Sequence, residues 1–370
     1  MESKVVDQSG LLSDEQHQSN HPPVASGPIG GLAPAVLILA AGRGTRMKSD
    51  QPKVLHRLMG RPLVEHVLNA ALYLNPERVV LVTGFGAEAV EADVRAFLAA
   101  RIEKRPGLPG PTFVRQTEQL GTGHAVAQAR EALQAYPGPV LIMAGDVPLI
   151  SPNTLDSFLK AHQSLEADIS VLTVTLDDPS AYGRVIRDPS GWLDRIVEFR
   201  DANDEERAVR EINSGIYLVD AVKLFEAISR LKPVNEQGEY YLTDVVADFR
   251  GQGLKAAAVE LPWDLAYEVR GINDRYELAE AQALMKDRLN EIWLKAGVTL
   301  IDPLSTLIEP SVRLSQDVTL WPGVILSGRT KVGPGAEIGP YSRLHNCRVA
   351  TGTKVPGHQD LADLDLGSEA

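Results

Sequence analysis

The sequence predicts an α/β protein in which a mostly parallel, mixed sheet carries helices on both faces and is followed by a short left-handed parallel β-helix. Three observations predict it. Short, uninterrupted apolar runs alternate with helix-length segments through the first half of the chain. Closer-spaced, strand-like runs then crowd between residues 168 and 219. From about residue 300, apolar side chains recur at every sixth position.

Each element can be justified in order. Ala35-Val-Leu-Ile-Leu-Ala-Ala41 lacks polar alternation, as a strand buried on both faces does, and it runs into the glycine loop Gly42-Arg-Gly44. An amphipathic stretch spans Leu63 to Leu72, a second buried strand Arg78 to Thr83, and a helical pattern Ala87 to Glu103. A strand near Phe113, a helix over Ala125 to Leu133 and the strand Pro139 to Met143 continue the alternation, which implies βαβ units. Asp168 to Thr175, Gly191 to Phe199 and Glu211 to Val219 read as a mixed-sheet extension bearing substrate contacts, and Leu278 to Leu294 as a long helix leaving the domain.

Ile308, Leu314, Leu320, Leu326, Val332, Ile338 and Leu344 then mark the six-residue period, with Val312, Val318, Val324 and Ala336 four places into their repeats. A β-helix with three short strands per coil has this period. About two coils are expected before the pattern fades, leaving 351–370 as a cap or loose tail. Residues 1–34 are polar and rich in Ser, Gln, Gly and Pro, the composition of a disordered tail. The expected division is therefore 1–34, 35–300, 301–350 and 351–370.

Composition narrows the classes. With 44% apolar residues in 370, the chain can bury a sizeable core. A formal charge of −12 argues against a general cationic field for nucleic acid. The single cysteine, Cys347, excludes an internal disulfide and a cysteine-based zinc cluster. No apolar run has the roughly 18 residues of a membrane span, and no signal-peptide pattern opens the chain, so a cytoplasmic protein is expected.

The residues able to do chemistry lie in the loops after strands. Gly42 and Gly44 let backbone N–H groups approach a phosphate, and Arg46 adds a fork of donors. Met47 stands where a dinucleotide fingerprint needs glycine, and no Gly-Lys-Ser/Thr follows. Lys53, placed by Pro52, offers a second cation, against the plain reading of a solvated lysine. Asp146 follows an apolar strand through Ala144-Gly145, at the sheet end where ligands sit in open α/β folds. It reads as a metal carboxylate or as a turn aspartate. Gln116 and Gly121-Thr-Gly-His124 form another strand-to-helix loop that could read a base edge. His124 reads as structural, because no nucleophile is placed to pair with it.

Taken together these segments resemble a known family. Leu39-Ala-Ala-Gly-Arg-Gly-Thr-Arg-Met47 and Pro52-Lys-Val-Leu55 resemble the signature of sugar-phosphate nucleotidyltransferases. Gln116 to Ala125, Gly145-Asp-Val-Pro-Leu149, Tyr182-Gly-Arg184, Ile196-Val-Glu198, Glu211 to Ile216, Gly238 to Asp244 and Gly271-Ile-Asn273 follow in order. They are similar to the uridyltransferase half of the bacterial bifunctional enzymes that make UDP-N-acetylglucosamine. The resemblance covers about residues 35–300 and implies a Rossmann-like nucleotidyltransferase domain. It implies transfer of UMP from UTP to N-acetylglucosamine 1-phosphate, with release of pyrophosphate, for cell-wall precursors. By the same likeness, Leu39, Ala40, Ala41 and Gly42 hold the nucleotide, with Gln116, Gly121 and Thr122 around the uracil and Gly145 beside them. Arg46 and Lys53 offset triphosphate charge, Asp146 and Asn273 hold Mg²⁺, and Gly183, Glu198 and Asn213 contact the sugar.

Three departures accompany the likeness. Ala144 replaces a larger residue before Gly-Asp, Arg200 replaces a lysine, and the β-helix ends before the coils that bear the family's acetyltransferase site. Thr353-Lys-Val-Pro-Gly-His358 is only a faint match to that site, so acetyltransferase activity is not expected. The alternatives are a sister nucleotidyltransferase using glucose 1-phosphate or dTTP, a non-catalytic sugar-nucleotide sensor, and an assembly module. In the last the β-helix joins copies, for example as a homo-trimer.

Overall fold

The computed structural model describes residues 33–367, so the tail expected at the N-terminus lies outside the described residues up to position 32. These residues fall into two compact units, 33–56 with 61–277 and 57–60 with 278–367.

In the first, β1 (Ala35–Ala40) sits mid-sheet. After it in the chain come short β2 (Arg57–Leu58), which falls in the second unit, and then β3 (Arg61–Pro62), α1 (Leu63–Leu72), β4 (Arg78–Thr83), α2 (Ala87–Lys104) and β5 (Pro111–Arg115) of the first. Then follow α3 (Thr122–Ala127), α4 (Arg130–Leu133), β6 (Pro139–Ala144) and α5 (Pro152–Leu165). The second half adds β7 (Ile169–Thr175), β8 (Arg184–Arg187), β9 (Leu193–Val197), α6 (Asp204–Arg207), β10 (Glu211–Asp220), α7 (Ala221–Arg230), α8 (Asp244–Gly251) and β11 (Ala256–Glu260). The sheet order is β11-β7-β10-β6-β1-β4-β5, with the β8–β9 ribbon hung from β10.

β1 pairs in parallel with both β4 and β6, placing Ile38 beside Leu81 and Met143. Successive side chains of β1 alternate between two cores, which explains its unbroken apolar run. Val36 and Ile38 join Val64 and Leu68 of α1, Val94 of α2 and Phe158 of α5. Ala35 and Leu37 face the other way, with Leu133 of α4, Phe225 of α7 and Phe249 of α8. Because the chain leaves β1 toward β4 and returns on its other side as β6, a crevice opens at their carboxyl ends. β10 runs antiparallel to β6 and β7, which makes the sheet mixed.

In the second unit, most of α9 (Arg275–Lys295) precedes three sheets of four short parallel strands each. These are the faces of a left-handed parallel β-helix, and Ile308, Leu320, Leu326, Ile338 and Leu344 are fully buried along its axis. The expectation of about two coils and a loose tail after 350 is corrected: Lys354–Val355, Asp360–Ala362 and Asp365–Leu366 form a fourth layer. The pattern faded in the sequence because one coil is a residue short. Lys331 pairs with Arg348, 17 positions on, whereas Arg313 pairs with Lys331, 18 positions on. The inward series therefore steps from Leu344 to Val349 and resumes at Val355, out of phase with the earlier positions.

Candidate active site

The crevice beyond β1 and β6 holds a cleft of about 300 Å³ lined by Leu39, Ala40, Ala41, Gly42, Lys53, Gln116, Gly121, Thr122 and Asp146. Nine positions expected from the sequence to touch nucleotide or metal thus converge. Gln119, Val54, Ala125, Ala144 and Glu239 also line it.

Local geometry explains the convergence. Gly44 is in the left-handed region at φ 64°, and a Cβ there would lie 2.5 Å from Lys53 Cβ; only glycine lets the loop fold against that lysine. Gln116 is buried; its backbone N–H donates to Thr83 O at 2.8 Å and its Nε2 to Gly121 O at 3.1 Å. The Gly121 loop is tied down by the segment that leads into α8. Gly123 N–H donates to Tyr240 O at 2.7 Å, and Leu242 N–H to Thr122 Oγ1 at 3.0 Å. His124 lies between the amides of Gln116 and Gln128, 3.1 Å from each, which suits a structural histidine. Gly145 sits behind the cleft, where its N–H donates to Leu39 O at 2.9 Å. Arg46 is exposed on the 3₁₀ turn Thr45–Met47 and does not line the cleft.

At one end of the cleft three polar side chains meet. The Lys53 ammonium donates to Asp146 Oδ2 and, at 3.1 Å, to Asn273 Oδ1. Ile272 N–H donates to Asp146 O at 2.9 Å, and Asn273 N–H to Glu277 Oε2 at 2.5 Å, so the backbone sets the two oxygens side by side. Both converge on one cationic nitrogen, the arrangement a hard divalent ion requires of its oxygen donors. No group of three or more His, Cys, Asp or Glu suited to a metal occurs among the described residues, so such an ion would take its remaining ligands from phosphate and water.

A second cluster forms around Gly183, Glu198 and Asn213. Asn213 N–H donates to Gly183 O at 2.9 Å, and a Cβ on Gly183 would lie 3.4 Å from Glu198 Oε2. A bulge in β10 after Asn213, with Gly215 at φ 78°, breaks the register with β7. Asn213 is held by its Oδ1, which accepts Gly215 N–H at 2.9 Å, and by its Nδ2, which donates to Tyr217 Oη at 2.9 Å. Burial pushes the Glu198 carboxyl above its usual range and the Asp244 and Asp201 charges push it further, while a hydrogen bond from Thr243 Oγ1 at 3.2 Å opposes them. Tyr217, Thr243 and Asp244 were not assigned roles from the sequence. The Leu-Thr-Asp run after Tyr241 was the available signal, but no periodicity reveals that Thr243 reaches across to Glu198.

A carboxyl whose pKa is raised by folding favours the native state below its unfolded value, and that advantage is lost as the pH rises through the folded value. Glu198→Gln is therefore expected to raise the thermal midpoint at pH 7–8, with the gain vanishing below about pH 4, where both states of the wild type are protonated. Melting curves across that range check it; an equal or lower midpoint at pH 8 would contradict the burial argument.

A crevice at the carboxyl ends of parallel strands, with a glycine loop and a lysine beside paired oxygen donors, fits a nucleotidyltransferase. Residues 36–216 match the model of the MobA-like NTP transferase domain. The bifunctional GlmU protein of Geobacillus sp. (strain WCH70) is 41% identical over 333 residues, covering 90% of this chain and 69% of that protein. That of Syntrophotalea carbinolica is 45% identical over 324 residues, covering 87% and 67%. The chain belongs to the GlmU family, matching its relatives through the nucleotidyltransferase part. A solved UDP-glucose pyrophosphorylase with bound UDP-glucose shares the fold, with a TM-score of 0.55 at 20% identity over 69% of this chain and 98% of that one. No helix among the described residues is long and apolar enough to cross a membrane.

Proposed function

We propose that this chain is a UDP-N-acetylglucosamine pyrophosphorylase, transferring UMP from UTP to N-acetylglucosamine 1-phosphate for cell-wall precursor synthesis. The observation that carries this reading is the pairing of the Lys53–Asp146–Asn273 cluster with the Gly183–Glu198–Asn213 cluster in a member of the GlmU family. The sugar phosphate attacks the α-phosphorus of UTP and pyrophosphate leaves from the opposite side. The nucleophile is already ionised near neutral pH, so positioning and charge neutralisation carry the catalysis.

The residues divide that work. Leu39 to Gly42, Gln116, Gly121 and Thr122 hold the nucleotide. Lys53 and Arg46 meet triphosphate charge, Lys53 from within the cleft and Arg46 from the exposed turn beside it. Asp146 and Asn273 would hold Mg²⁺, which supplies charge neutralisation on the phosphates when bound. Glu198 and Asn213 present an acceptor and an amide to the sugar hydroxyls and acetamido group, with Gly183 leaving room for the ring. The sugar C1–O bond is untouched, so anomeric configuration is retained. The solenoid joins copies of the chain, for example as a homo-trimer; light scattering at micromolar concentration checks it, and a monomer would remove it.

The test is pyrophosphate release with UTP and Mg²⁺, comparing N-acetylglucosamine 1-phosphate with glucose 1-phosphate. Preference for the acetamido sugar is expected. Turnover of glucose 1-phosphate alone would move the substrate, and UTP binding without turnover of any sugar would favour a sensor.

A further inference from the structure

Arg184 is 2% exposed, yet its guanidinium makes no ion pair among the described residues. It donates only to backbone carbonyls: from Nη1 to Pro179 at 3.3 Å and to Tyr182, from Nη2 to Ser180 at 2.9 Å, and from Nε to Arg207 at 3.3 Å. One face lies 5.3 Å from the centroid of Phe199, whose ring also carries the Arg207 guanidinium at 5.2 Å. Burial pulls the Arg184 pKa down, with the Asp178 charge opposing. A buried cation without a carboxylate is costly and persists where its geometry is needed.

Its contacts point to that need. Three of the four carbonyls belong to residues 179–182, the segment that delivers Gly183. The ring it covers belongs to Phe199, next to Glu198. We infer that Arg184 is a positioning residue that fixes Gly183 and Glu198 relative to each other, and so sets the pocket for the sugar phosphate. This rests on the sugar reading of that cluster. The planar fork reaches several carbonyls at once while presenting its face to an aromatic ring; a lysine ammonium does neither.

The experiment uses the full chain with Arg184→Lys, Arg184→Gln and Phe199→Leu, run with whichever sugar phosphate the wild type turns over. Failure of the substrate assignment then changes the co-substrate, whereas failure of this inference changes the pattern of constants. Expected is a rise in KM for the sugar phosphate of about tenfold in the arginine variants, with KM for UTP within about twofold, and a smaller rise of the same kind in Phe199→Leu. A fall in thermal midpoint with both KM values unchanged would show a merely structural arginine and overturn the inference, as would equal rises in both. Should the arginine variants not fold, Phe199→Leu decides: an unchanged sugar-phosphate KM overturns the proposal.

Discussion

Asp146→Ala is expected to lower the rate of pyrophosphate release about a thousandfold, equivalent to about 4 kcal/mol of transition-state stabilisation. The carboxylate does two things in this geometry. It holds the Lys53 ammonium beside Asn273, and in the proposed function it would join Asn273 Oδ1 in holding a divalent ion there. Removing it leaves Asn273 Oδ1 as the one hydrogen-bond partner of Lys53 among the described residues and takes the negative charge from the pair. Asp146→Asn separates the effects, keeping an oxygen while losing charge. Initial rates at saturating UTP over a wide Mg²⁺ range are the measurement; a loss under tenfold, or full recovery in Asp146→Asn, would refute the assignment.

Gly121→Ala is expected to cost about 2–4 kcal/mol through strain and overlap, visible as a lower denaturant midpoint and a rise in KM for UTP of tenfold or more. Gly121 sits at φ 100° and ψ 176°, a region essentially closed to other residues. A Cβ there would fall 2.5 Å from Tyr240 O and 2.9 Å from Glu239 Cβ. The carbonyl cannot retreat freely, because it accepts Gly123 N–H at 2.7 Å, and Tyr240 N–H in turn donates to Leu120 O at 2.9 Å. Relief has to come from the loop that carries Thr122 into the cleft. Unfolding curves and UTP titration together check this; an unchanged UTP constant would mean that this loop does not contact the nucleotide.

Much of this architecture was legible in the residues. The apolar strands over 35–41, 78–83 and 139–143 were readable because each is buried on two faces, so its run is unbroken. Helix α5 was not read, although Ser151-Pro152 is a cap followed by a proline at the first turn, with Ser151 Oγ accepting Thr154 N–H at 3.1 Å. Leu155, Phe158, Leu159 and Leu165 also fall at helical spacing, so both the cap and the periodicity of this helix were present in the residues. The cleft was legible as separate loops. What gathers Lys53, Asp146 and Asn273 is the order of strands in the sheet and the bond from Ile272 to Asp146, which join positions 93 and 220 residues away from Lys53. Thr243 and Arg184 escaped for the same reason: their partners are carbonyls and a distant carboxylate, which leave no mark on local spacing.

The coil that is one residue short has a meaning for how such a chain tolerates change. In the solenoid each rung rests only on the rungs above and below, so a deletion at a corner is absorbed within one turn and the next strands resume their stacking. The left-handed Asn346 at φ 53°, whose side-chain Oδ1 accepts Arg329 N–H at 2.9 Å, sits in that corner. Descent with gains and losses of single residues can thus rewrite the arithmetic of the repeat while the stack keeps its form. In a β-helix, then, the inward-facing side chains hold the stack together even where the count between them changes.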